Sequence, residues 1–194
     1  KNIEAGKSKS YGFTVKNEGN DEDGFSVEVV TTPDGWTANE DFSTSDIEPE
    51  KTLSGNLLVT CPQSAKAGTY QIKIKATSLN DNSSFVTKSI SILVNQTYQV
   101  NIQSEGLKTV DITENRIVPY NVVITNLGNG QDWFGLEAYI PQTYQDKGWG
   151  GTLSTTLTSY IDPNKSLNVT FYAKAPSTSD NPPVDSEGKF WINA

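Results

Sequence analysis

Oxygen-bearing side chains crowd one short stretch of the chain. From Val15 to Phe25 it reads VKNEGNDEDGF, setting Glu18, Asp21, Glu22 and Asp23 among Asn17, Asn20 and two glycines. Calcium takes about six to eight oxygen ligands around one point, carboxylates foremost, so such a run is a candidate loop for it. Asn20, Asp21 and Asp23 are the candidate ligands, and calcium is the one cofactor the sequence suggests. The competing reading is a turn between strands. There Gly supplies positive φ, Asn bonds back to the backbone, and Phe25 re-enters the core.

Catalytic chemistry has little else to stand on. Histidine is absent, which removes Ser-His-Asp and Cys-His triads and His-bearing zinc sites. The single cysteine, Cys61, can form neither an internal disulfide nor a cluster. In NLLVTCP it keeps phase with Leu57 and Val59 and reads as a small buried hydrophobe. Asp34, Glu40, Asp41, Asp46 and Glu48 could furnish the carboxylate pair of a glycosidase. They fall in loops, however, with no nucleophile motif or phosphate loop in the chain. The sequence therefore points away from an enzyme. Two other kinds of site remain. Asn82, Asn95, Asn164 and Asn168 each open an Asn-x-Ser/Thr sequon and are candidate N-glycan carriers. Trp133, Tyr139, Tyr144 and Trp191 are candidate faces for sugar stacking, or for packing against a neighbouring domain or subunit.

The elements that would position these residues follow from alternation. Tyr11, Phe13 and Val15 alternate with polar neighbours, as do Phe25, Val27 and Val29, then Leu57, Val59 and Cys61, then Tyr70, Ile72 and Ile74. No segment holds a helical period. The chain then repeats itself. YGFTVKNEGNDEDGFSVEV from Tyr11 is answered by YNVVITNLGNGQDWFGLEA from Tyr120, with Tyr, Asn, Gly, Asn, Asp and Phe in register. PDGW ending at Trp36 is answered by DKGW ending at Trp149. DIEPEKTLSGNLLVTCP from Asp46 is answered by YIDPNKSLNVTFYAKAP, and GTYQIKI from Gly68 by GKFWINA. Two copies in 194 residues, each about 100 long, predict an all-β chain of two tandem Ig-like antiparallel β-sandwich domains, 1–95 and 96–194. Trp36 and Trp149 are expected to plug the two cores. The junction VNQTYQV, from Val94 to Val100, lacks Gly and Pro and predicts limited hinge freedom.

The copies are expected to be unequally complete. The second has a leading strand at YQVNIQ, ahead of VDITENRIVPY, which the first lacks; the first has a closing strand, FVTKSISILV, which the second lacks. Such gaps would leave an open edge. They fit either a piece of a longer tandem array or strands supplied between subunits. No initiator Met or signal peptide is present, as in a mature or excised piece.

The order G…YxFxVxNxGN, then PDGW, then IxP…LxVxxPxxAxxGTYxIxIxATS resembles the NEW3-type Ig-like repeats of archaeal and bacterial cell-surface proteins. The second copy fits less closely, because STSDNPPVDSEGKF expands the segment QSAKAGTY. The resemblance implies extracellular exposure and a scaffold or adhesive role, with related domains accompanying secreted glycosidases; it carries over no catalytic residue. The net charge of −8 disfavours nucleic acid and anionic lipid as partners. No apolar run reaches the ~20 residues of a membrane span. The leading expectation is a structural cell-envelope protein, part of an archaeal S-layer or similar surface glycoprotein, with neighbouring repeats or subunits as its partners. The alternatives are a carbohydrate-binding accessory module of a secreted glycosidase and a strand-exchanging filament subunit.

Overall fold

The computed structural model describes residues 1–109, 116–177 and 190–194. Most of the expanded segment STSDNPPVDSEGKF, and VDITEN in the stretch leading to Tyr120, lie outside them. The described residues are all-β apart from one helical turn, and the chain divides into two compact units, Lys1–Gln96 and Thr97–Ala194.

The first unit contains β1 (Asn2–Ile3), β2 (Ser8–Lys16), β3 (Phe25–Thr31), β4 (Thr37–Asp41), β5 (Thr52–Thr60), β6 (Gly68–Ser78) and β7 (Phe85–Val94). One sheet runs β1-β7-β6-β3 and the other β2-β5-β4. All pairs are antiparallel except β1 with β7. Period-two side chains from both sheets meet in one core. Tyr11, Leu57, Val59 and Cys61 come from one side, and Ile72, Ile74, Ile92 and Val94 from the other. Leu57, Val59, Ile72 and Ile92 are fully buried, each worth about 1.5–3 kcal/mol of transfer free energy. Trp36 is buried in the same cluster with its ring 4.9 Å from that of Tyr70. Gly35 turns the chain into Trp36 at φ 76°, a conformation that favours glycine.

The second unit contains β8 (Val100–Ser104), β9 (Ile117–Asn126), β10 (Glu137–Tyr139), the single turn α1 (Gln142–Gln145), β11 (Gly150–Leu153), β12 (Ser166–Lys174) and β13 (Trp191–Asn193). One sheet runs β11-β12-β9-β8, and β10 pairs with β13. Val122, Ile124, Val169, Phe171 and Ala173 form its core with Phe134, Leu136 and Ile161. The pairing of Val15 with Leu53 recurs as Ile124 with Leu167, so the register of the central pair is repeated with the sequence.

Two details set the second unit apart from the first, and a third departs from the expectation. Phe134 and Leu136 are buried, but the segment 134–136 pairs with 156–158 and not with the last strand. Gly135 bridges Leu157, Phe134 N–H donates to Thr158 Oγ1, and Leu136 N–H donates to Thr156 O. The last strand is offset by two residues. Val29 faces Ile74 in the first unit and its counterpart Ala138 faces Ile192 in the second, where the sequence aligns Ile72 with Ile192. A two-residue slip keeps every side chain on its original face and so costs no burial. Finally, Trp149 is only half-buried, with its ring 6.1 Å from Phe190; α1 stands in the loop that leads to it.

Candidate functional site

The acidic turn is built around Asn17, which directly follows β2 and is 2% exposed. Its Nδ2 donates to Asp21 O (2.8 Å) and Ile47 O (2.7 Å), and its Oδ1 accepts from Gly19 N–H (2.9 Å). Asn126 does the same in the second unit. Its Nδ2 donates to Gly130 O and Ile161 O, both at 2.8 Å, and its Oδ1 accepts from Gly128 N–H at 2.8 Å. The surrounding backbone bonds recur too. Asn17 N–H donates to Lys51 O and Asn126 N–H to Lys165 O, while Glu50 N–H and Asn164 N–H return bonds to the two asparagine carbonyls. Asp23 pairs with Ile47 as Asp132 pairs with Ile161. Each asparagine thus ties the end of one strand to its own loop and to the turn before the strand's ladder partner, β5 or β12.

The carboxylates around Asn17 take separate partners. Asp23 Oδ2 accepts from Ser78 Oγ (2.6 Å) and its Oδ1 from Asn80 N–H (3.3 Å), while Asp21 Oδ1 accepts from Glu22 N–H (2.9 Å). Asn20 is exposed beside them. Asp21 and Asp23 are engaged with different donors, and among the described residues no group of three or more His, Cys, Asp or Glu side chains is placed to hold a metal ion. The shared chemistry of the two turns is hydrogen bonding to backbone.

Of the four candidate aromatics, the structure brings together two. Tyr139 and Trp191 face each other across β10 and β13, with ring centroids 6.2 Å apart, and are 55% and 48% exposed. Their strand neighbours Ala138 and Ile192 pack on the core, so the pair stands on the outer face. Trp133 is exposed elsewhere, next to Asp132, and Tyr144 sits half-buried in α1. Asn82, Asn164 and Asn168 are exposed. Asn82 tips the β6–β7 hairpin, where Asp81 Oδ1 accepts from both Ser83 N–H and Ser83 Oγ. Asn164 has φ 59° in a turn. Asn95 is half-buried and its N–H donates to Ile3 O.

The titratable groups with shifted pKa have structural causes. Burial raises the Cys61 thiol and, with Cys61 beside it, the Tyr11 phenol, whose hydroxyl donates to Asn2 O. Lys16 is raised by its bond to Glu50. Glu105 is lowered by Lys108 and by the N–H of Asn121, and Asp81 by Ser83. These shifts trace to burial and local hydrogen bonds.

What the sequence did not single out is a groove of about 650 Å³ in the first unit, between β2 and the edge of the opposite sheet. Its only signal there was the expected absence of a leading strand in the first copy.

Comparison with known proteins bears on the first repeat. Residues 3–78 match the family model described as "NPCBM-associated, NEW3 domain of alpha-galactosidase", in agreement with the NEW3-type resemblance. No curated protein matches the chain. Similar solved structures include the secreted serine protease VesC from Vibrio cholerae, at 8% identity and TM-score 0.37, covering 99% of this chain and 47% of that one. The chain thus spans about half the length of that protein. A protein of unknown function from Porphyromonas gingivalis W83 aligns at 14% identity and TM-score 0.34, covering 87% of this chain and 76% of that one. The CsuC–CsuE chaperone–tip adhesion subunit complex of Acinetobacter baumannii Csu pili gives 11% identity, TM-score 0.40 and coverage of 100% and 96%. No functional reading is drawn from similarities of this size.

Proposed function

We propose that the chain is a non-catalytic structural module of a secreted or cell-surface protein, in which tandem β-sandwich units act as spacers. The observation that carries this reading is the pair of asparagine turns. The hydrogen bonds that hold strand to turn are repeated one by one, whereas the acids Glu18, Asp21 and Glu22 are not. What recurs in the two copies is the means of building a rigid unit. In its finer form the reading is a cell-envelope protein, an S-layer or similar surface glycoprotein of archaeal type, carrying N-glycans and meeting neighbouring repeats or subunits. The match of residues 3–78 to a domain associated with alpha-galactosidase supports extracellular placement. Antibodies raised against residues 1–194 should label the surface of intact cells or the secreted fraction; a purely cytoplasmic signal would overturn the proposal.

A second reading is favoured by one specific observation, the exposed Tyr139–Trp191 pair. Aromatic faces on an outer sheet suit stacking on sugar rings, and the same family match supports an accessory module of a glycosidase. Titration against a panel of soluble polysaccharides, followed by Trp fluorescence, tests it. Binding lost in both Trp191→Ala and Tyr139→Ala would establish this reading, and no binding by the parent chain would remove it.

A further inference from the structure

The two units share the register of their central strand pair but differ at its flank. In the second, β9 is flanked by β12 on one side and β8 on the other. In the first, the equivalent strand β2 pairs with β5 and stands at the edge of its sheet. The direction of its backbone groups follows from the ladder. Asn17 N–H bonds toward the β5 side, at Lys51 O, so the alternate residues Thr14 and Lys16 turn their N–H and C=O to the open side. Gly12, in the same phase, has its carbonyl on that side, where the Lys1 ammonium donates to it at 3.0 Å.

The groove lies along this edge. Phe13 and Val15 of β2 form one wall, and Val27, Ile74, Phe85 and Val86 the other. β1 covers β7 only at Leu93 and Val94, and Phe85 at the other end is 61% exposed. The second unit shows what fills such a place. Asn101 and Gln103 of β8 face Thr125 and Val123, the counterparts of Lys16 and Thr14. Val100 and Ile102, between them, pack on the core, where Val122 and Ile124 are fully buried. Of their counterparts, Val15 is 8% exposed, whereas Phe13 lacks such a cover and is half-buried.

We infer that the groove is a seat for one extended polypeptide strand from outside residues 1–194. The strand runs antiparallel to β2 and carries apolar side chains at alternate positions, as β8 does. A row of backbone donors and acceptors at strand spacing over an apolar floor recognises a peptide main chain; a lipid chain would leave those groups unmatched, and sugar hydroxyls do not repeat at strand spacing. β8 itself is already held by β9, so the occupant is a separate segment.

The probe is a synthetic heptapeptide with the sequence of Tyr98–Ser104, YQVNIQS, added to the full chain. Amide shifts should concentrate at Thr14, Lys16 and Val86. Methylating the peptide nitrogen at its Asn101 position, which bonds toward β2, should abolish them, as should Ile102→Asp in the peptide. Methylation at the Ile102 position, which faces away, should be tolerated. Thr14→Pro in the chain removes an edge N–H but no bond to β5 and should also abolish binding; should it unfold the chain, the methylated peptides still decide. Tethering the heptapeptide ahead of Lys1 by a Gly/Ser linker of about five residues raises its effective concentration to the millimolar range. The tethered form should raise Tm by about 3–6 °C relative to the same fusion carrying Ile102→Asp in the tether. No shift in the free form together with no Tm gain in the tethered form would overturn the inference, as would equal gain from the Asp tether. Either result would leave the spacer reading standing.

Discussion

Asn17 and Asn126 show how much one buried amide can organise. Each satisfies both donors and its acceptor at the end of a strand. Truncation would leave two carbonyls and one N–H without their bonds in a nearly dry site. Asn17→Ala and Asn126→Ala should each cost about 2–4 kcal/mol in denaturant unfolding, with Asn→Asp no better, because a carboxylate would face the two carbonyls. Asn164 holds φ 59° in the turn after Pro163. Asn164→Ala should cost about 1 kcal/mol, and Asn164→Gly far less. The pH dependence has two limbs. Glu105 and Asp81 have folded pKa values below their unfolded ones. Their contribution is complete above about pH 4 and fades as pH falls through the lower folded values. Lys16 is raised, so its contribution is complete below about pH 10 and fades as pH rises through the folded value. Denaturant midpoints against pH should show Glu105→Gln flattening part of the acid limb only, and Glu50→Gln part of the alkaline limb only; both effects are small at exposed sites.

At the scale of the element, two glycines make a comparison. A Cβ on Gly55 of β5 would lie 2.6 Å from Phe13 Cζ and 2.7 Å from Phe42 Cδ2, and one on Gly151 of β11 would collide with the Phe171 ring. The rings differ in freedom. Phe13 lines the groove and has room to move, whereas Phe171 is 2% exposed in the second core. Thermal unfolding should therefore place Gly151→Ala at about 1–3 kcal/mol of destabilisation and Gly55→Ala at the lower end of that range or below. Equal losses would mean that the groove wall is as closely packed as the core.

At the scale of the molecule, each unit has its own core cluster. The junction backbone is bonded to both: Asn95 N–H donates to Ile3 O, and Thr97 N–H to Asn129 Oδ1. Residues 1–96 and 97–194, expressed separately, should each give the dispersed amide spectrum of a folded β protein; collapse of either spectrum would show that it depends on the other. The exposed sequons make a second test. Expression in a glycosylating host should add glycan mass at Asn82, Asn164 or Asn168 in preference to Asn95, whose N–H is bonded inside the first unit. Peptide mass spectrometry reads the occupancy site by site.

Much of this molecule was legible from alternation and repetition. Tyr11, Leu57, Val59 and Ile72, like Val122, Ile124 and Phe171, announce buried faces by period-two spacing, because a pleated strand sends successive side chains to opposite sides. The recurrence of Asn-x-Gly-Asn marked the turns as architecture, since Gly and Asn serve backbone geometry wherever they occur. Three things were decided only by the tertiary structure. Only the fold set Ser78 Oγ and Asn80 N–H against the Asp23 carboxylate, from 55 and 57 residues away in the chain. The four candidate aromatics could not be sorted until β10 met β13 and paired Tyr139 with Trp191. The groove beside β2 depends on which strands fail to meet. The common reason is range. Strand, turn and face are set by neighbours along the chain, whereas a site is set by residues that only folding brings together.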